Sequence, residues 1–288
     1  MKALTIGANP WIWHSPVDGA ALTETVPRLA AWGFDEVELP LESADDWKPA
    51  PTAALLAAHG LRPAAVVAVM PPGRDLVRTT PETVAATRAY LVRCVEAAEE
   101  VGAPVVAGPL YAAVGRTWRM DAAERATAYR ELREGLAPVV ERAMAAGVVL
   151  AVEPLNRYET SLLNTVEQTL EALEGLPEGG VGVALDTYHQ NIEERGLADA
   201  VRRAEGRVAH VQVCANDRGT PGADHLDWAG FLSALLDSGY AGPLCIESFT
   251  AHNETIAVAA SVWRPLADRQ DTIAVDGLAF LRRAFAAL

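Results

Sequence analysis

Residues 121–153 read DAAERATAYRELREGLAPVVERAMAAGVVLAVE, and this stretch decides the fold. Asp121 is a strong N-cap type and opens a helix over 122–146. Gly147 then stands where a helix stops by turning left-handed, a conformation that costs glycine least. Five apolar residues follow, Val148-Val149-Leu150-Ala151-Val152, a run that suits a strand buried on both faces of a parallel sheet. The next residue is Glu153, an acid placed at the C-terminal end of that strand.

The same punctuation recurs along the chain. Gly33, Gly60, Gly102, Gly147, Gly175, Gly206 and Gly239 each close a helical pattern and precede a short apolar run. Strands are predicted at 4–8, 36–39, 64–69, 105–107, 148–152, 182–185, 208–213 and 244–246. Thr80-Pro81 and Asp227 are further helix starts. Eight alternations of strand and helix predict an α/β fold, a single (β/α)8 TIM barrel formed as one domain over residues 1–288. The competing architecture is an open doubly wound sheet. Its phosphate-binding turn is missing, because Gly7-Ala8-Asn9 is not followed by the rest of a G-x-G-x-x-G pattern.

Composition narrows the partners. The chain has 288 residues, half of them hydrophobic, which is enough for a barrel core. A net charge of -14, with no local block of Lys or Arg, opposes attraction to nucleic acid and to anionic membranes. No stretch reaches the roughly 18 to 20 apolar residues of a membrane span, and the first thirteen residues lack the apolar core of a secretion signal. A cytoplasmic enzyme with a small-molecule substrate is expected. Cys94, Cys214 and Cys245 are too scattered for a disulfide framework or a C-x-x-C metal site and read as buried small hydrophobes.

The C-terminal ends of strands five to eight are polar: Glu153, Asp186, Gln212 and Glu247 each follow or end an apolar run. Ionisable groups beside apolar runs are costly unless compensated. A barrel gathers its strand ends around one axis, so four donors from successive strands can converge on one point. One divalent cation is the simplest compensation. Three carboxylates and an amide oxygen suit Mn2+ or Mg2+, with Co2+ as a substitute, better than a Cys/His zinc site. The alternative is that the acids pair with Arg157, Arg218 or each other at the rim. His14, His59, His225 and His252 lack clear ligand spacing.

Five segments resemble the sugar phosphate isomerase/epimerase superfamily of xylose isomerase-like TIM barrels, and within it the D-tagatose 3-epimerase, or ketose 3-epimerase, branch. They are residues 108–116 (GPLYAAVGR), 153–159 (EPLNRYE), 185–194 (LDTYHQNIEE), 216–222 (NDRGTPG), and 246–249 (IESF) with 263–266 (WRPL) downstream. The resemblance implies that Glu153, Asp186 and Glu247 bind the metal, and that Glu159, His189 and Arg218 hold the carbonyl end of a sugar. It further implies a homo-oligomer, a dimer or tetramer. In one place the sequence departs from the branch. Its members usually carry a metal-binding His two residues after a strand-seven His, whereas here His210 is followed by Gln212. Residues 210 and 212 share a side of the strand, and the outer one, Gln212, is the predicted ligand. Related isomerases, including hydroxypyruvate isomerase, resemble this chain in using Gln there.

The expected chemistry is proton transfer beside a ketose carbonyl, with Glu153 and Glu247 on opposite faces of C3 and inversion as the result. Trp13, Met70, Leu110, Trp118 and Phe249 are available on rim loops for the far end of the sugar. The lack of a glycine-rich phosphate loop favours an unphosphorylated ketose. Other readings are an aldose–ketose or hydroxypyruvate-type isomerase, a lyase or dehydratase on a 3-oxo sugar, an endonuclease-like phosphodiesterase, and a non-catalytic sugar-binding protein. The acidic charge and sparse rim histidines count against the nuclease, and a rim rich in acids counts against the non-catalytic protein.

Overall fold

All seven glycines read as helix stops adopt left-handed backbone, with φ between 69° and 91°. At Gly33 and Gly102 the glycine N–H closes the last turn onto the carbonyls of Leu29 and Ala98. The chain is described from a computed structural model that covers residues 4–288 apart from Ala44 and Glu205. Residues 1–3 lie outside the described residues.

Eight strands form: β1 (Ile6–Ala8), β2 (Glu36–Leu41), β3 (Arg62–Ala68), β4 (Val105–Gly108), β5 (Val149–Val152), β6 (Val181–Asp186), β7 (Val208–Val213) and β8 (Leu244–Ile246). Each pairs in parallel with the next, and β8 pairs with β1, so the sheet closes into a barrel. The helices are α1 (Gly19–Trp32), α2 (Pro49–Ala58), α3 (Pro81–Val101), α4 (Ala122–Ala145), α5 (Val166–Leu173), α6 (Thr187–Glu193), α7 (Leu197–Arg203), α8 (Trp228–Asp237), α9 (Glu254–Ala259) and α10 (Gln270–Ala286). The predicted caps are in place: Asp121 and Glu124 form a reciprocal capping box at α4, and Thr80 and Asp227 cap α3 and α8.

The expected eight units gain short extra helices on their C-terminal side. After β6, α6 starts with no intervening loop, because the Asp186 side chain accepts the Tyr188 N–H at 2.6 Å and caps it at the strand end. No helix among the described residues is long and apolar enough to cross a membrane.

Side chains from β3 to β6 meet in a small-residue cluster of Ala65, Val105, Ala107, Ala151 and Ala184, separate from the large apolar layer under the helices. The strands that complete the barrel contribute polar groups: Glu38 from β2 and His210 from β7 are fully buried and 2.5 Å apart. Close packing on the small-residue side and a polar network on the other fill the barrel interior together.

Candidate active site

Glu153 follows β5, Asp186 ends β6, Gln212 lies on β7 and Glu247 follows β8, all with 6% exposure or less. Register places Asp186 beside Gln212, and Gln212 beside Cys245, across neighbouring strands. The Glu153 N–H donates to Gly108 O at 3.0 Å and the Glu247 N–H to Val213 O at 3.1 Å, so both acids leave their strands while still tied to the ladder. Gln212 Nε2 donates to Glu247 Oε1 at 2.6 Å and to Glu38 Oε2 at 3.3 Å.

Arg218 stands at the centre of this cluster. Its Nη1 donates to Asp186 Oδ2 at 2.6 Å and to Glu247 Oε2 at 2.9 Å, and its Nη2 lies 2.9 Å from His189 Nε2. The guanidinium also lies against the rings of Tyr188 and Phe249, at 4.1 and 5.1 Å from their centroids. A turn folds the residue back into the site: the Arg218 N–H donates to Ala215 O, and φ of 69° puts it in the left-handed region. The sequence set substrate contact against salt bridging for this arginine. In the structure it bridges two of the acids, while Arg157 pairs with Glu193.

His189, on α6, is buried. Its Nδ1 lies 3.0 Å from the Asn156 backbone N–H, which donates to it. Its Nε2 faces Arg218 and lies 3.6 Å from Glu153 Oε1. Burial and then the Arg218 charge hold the imidazole neutral, with its pKa pulled down to about 4. Burial pushes the Glu153 and Glu247 carboxyls up, and neighbouring carboxylates add to the effect while Arg218 opposes it. Burial would also raise Asp186, but Arg218, His189 and the Tyr188 N–H together hold it below the usual carboxylate range.

The aromatic and apolar candidates divide. Phe249 packs beneath Arg218, and Trp118 sits half-buried with its Nε1 unpaired. Trp13 donates its Nε1 to Asp271 and lines a surface cavity of about 450 Å3 with Thr250 and Asn253. Leu110 and Met70 are buried in the core, so the apolar wall expected of them is not exposed here. Glu159 is half-buried and accepts the Asn156 Nδ2 at 2.7 Å.

Among the described residues, two groups of side chains bring possible ligand atoms within 4.8 Å of one another: Glu153 with Asp186 and His189, and Glu38 with His210 and Cys245. Sequence reading missed Glu38. Its signal was present, because Glu38 sits between Val37 and Leu39 in a strand that the barrel buries on both faces. Glu36 and Glu38 alternate along the same strand, and the sequence alone does not separate their roles. Glu36 in fact binds Thr5 and Arg62, and Glu38 turns inward.

A barrel with acids converging from the ends of β5, β6 and β8 and an amide from β7 defines a class, and comparison with known proteins agrees: the chain belongs to the xylose isomerase-like TIM barrel family, matched over residues 26–284. Within that family it is similar to ketose 3-epimerases, enzymes of the isomerase class. It is 32% identical over 283 residues to a probable ketose 3-epimerase of Synechocystis sp., covering 98% of this chain and 97% of that one. A solved L-ribulose 3-epimerase superposes with a TM-score of 0.90 at 29% identity, covering 99% of this chain and 95% of the other. A D-allulose 3-epimerase from Methylomonas sp., solved in complex with D-allulose, gives a TM-score of 0.88 at 27% identity, covering 99% and 98%.

Proposed function

We propose that this protein is a divalent-metal-dependent ketose 3-epimerase acting on an unphosphorylated ketose. The observation that carries the reading is the convergence of Glu153, Asp186, Gln212 and Glu247 on one buried cluster whose positive side chain is Arg218. With Glu38, four carboxylates are buried there, a charge that one guanidinium does not balance. Gln212 Oε1 is buried with no hydrogen-bond partner. Excess anionic charge and a free amide oxygen fit a cation held by Glu153, Asp186, Glu247 and Gln212, and the oxygen-rich donors suit Mn2+ or Mg2+. When bound there, such a cation supplies electrostatic stabilisation of the negative charge that develops on the carbonyl and hydroxyl oxygens of the sugar.

The protein's own groups then divide the work. Arg218, whose Nη2 lies 2.9 Å from His189 Nε2, is the charged donor that a substrate oxygen would meet in this cluster. Glu153 and Glu247, from the ends of different strands, remove the C3 proton on one face and return one on the other. Their raised carboxyl pKa values favour holding that proton within the site. Glu159 keeps Asn156, and through it His189, in place.

Incubating the purified protein and Mn2+ with D-fructose, D-tagatose and hydroxypyruvate in D2O tests this. C3 epimers carrying deuterium at C3 are expected from a ketohexose. An aldose product or turnover of hydroxypyruvate would instead point to the isomerase reading, and loss of mass to a lyase. Glu153→Gln and Glu247→Gln should each lower turnover by roughly 10²- to 10⁴-fold.

A further inference from the structure

Glu38 is not among the four residues proposed to hold the cation, yet it is fully buried on β2 and reaches across the barrel. Its Oε2 accepts from Asn9 Nδ2 at 2.8 Å and from Gln212 Nε2 at 3.3 Å, and its Oε1 faces His210 Nε2 at 2.5 Å. We propose that Glu38 is a positioning residue that fixes which end of the Gln212 amide is offered to the cation. The proposal rests on the metal reading above and adds to it a residue outside that ligand set.

A primary amide has two N–H donors and one acceptor oxygen, and the two ends have nearly the same shape. Steric fit alone therefore does not choose between them. Around Gln212 the choice is electrostatic: one N–H goes to Glu247 and the other to Glu38. With the amide reversed, its oxygen would confront two carboxylates, and its NH2 would take the place of the acceptor. Both carboxylates thus favour the same orientation and leave Oε1 as the unpaired acceptor. Glu247 is itself drawn toward Arg218, so Glu38 supplies the part of this bias that is independent of the reacting groups. A histidine ligand would have posed a different problem, because either ring nitrogen can bind a metal. With Gln212, only one end can bind.

The test is Mn2+ titration of the EDTA-stripped chain, with free Mn2+ read by electron paramagnetic resonance. Wild type should bind one Mn2+ per chain. Glu38→Gln should weaken binding roughly 10- to 100-fold. In the Gln212→Ala background the same change should cost almost nothing further. A merely structural role for Glu38 would weaken binding by the same factor in both backgrounds. Should E38Q fail to fold by circular dichroism, Glu38→Asp carries the test, because it keeps the charge and draws the carboxylate back from Gln212 by one methylene. Weaker Mn2+ binding by E38D that disappears in E38D/Q212A then supports the proposal, and equal losses in both backgrounds overturn it. Wild-type affinity in E38Q, or losses that multiply in E38Q/Q212A, overturns the proposal alone. A wild-type chain that takes up no Mn2+ overturns the metal reading and this proposal together.

Discussion

Replacing Arg218 by Met tests the electrostatic design of the site directly. The guanidinium is 5% exposed and donates to Asp186, Glu247 and His189, so Met keeps much of the volume while removing every one of these donors. Removing one partner from a buried ion pair costs about 3–5 kcal/mol, because the remaining charge is left uncompensated away from water. For a chain of 288 residues the unfolding entropy is about 0.6 kcal/mol/K, so Tm should fall by about 5–8 °C in EDTA at pH 7. Added Mn2+ should recover part of that fall by neutralising the same carboxylates. Arg218→Lys keeps the charge but not the forked reach to three partners and should fall in between. Differential scanning calorimetry reads all four conditions. A Tm for R218M within about 2 °C of wild type in EDTA would show that the guanidinium is not the counter-charge that this reasoning requires.

Three further outcomes follow from particular residues. Gly108→Ala places a Cβ 2.6 Å from Ala68 O at a φ of 131°, and Gly108 O holds the Glu153 N–H. Stability should drop by about 1–3 kcal/mol and turnover should fall with it, whereas wild-type urea midpoint and rate would refute the close approach. The thiols of Cys94, pushed up to about 12 by burial, and of Cys214 and Cys245, also raised mainly by burial, should resist Ellman's reagent at pH 8 until the chain is unfolded. Rapid labelling of native protein would contradict their burial. His189 refuses a proton down to about pH 4 when folded but accepts one near 6.5 when unfolded, so its contribution is full above 6.5 and is lost as pH falls toward 4. His189→Gln should flatten the decline in urea-unfolding free energy between pH 7 and pH 4 by about 3 kcal/mol, and an unchanged slope would refute this.

The local parts of this protein were legible in its sequence. Helix caps, left-handed glycines and apolar runs are satisfied by neighbours a few residues away, so Asp121, Gly147 and the run into Glu153 could be read without knowing what packs against them. The barrel follows from repeating that unit, and the placement of Glu153, Asp186, Gln212 and Glu247 at strand ends follows from the barrel. Boundaries were less accurate: β6 runs one residue further at each end than expected, because Asp186 is both the last ladder residue and the cap of α6.

What only the tertiary structure decided are the contacts between segments far apart in the chain. Glu38 meets Gln212 and His210 across a separation of more than 170 residues, and no periodicity in β2 distinguishes an inward acid from an outward one. Burial of Leu110 and Met70 depended on how the loops after β3 and β4 pack, and the bridge from Arg218 to Asp186 and Glu247 depended on a single left-handed turn. Sequence determined where the barrel brings its acids, since that is a matter of local pattern and repetition. The choice of partner for each acid belongs to the closed barrel, where side chains from opposite strands share one low-dielectric interior and every buried charge must be compensated.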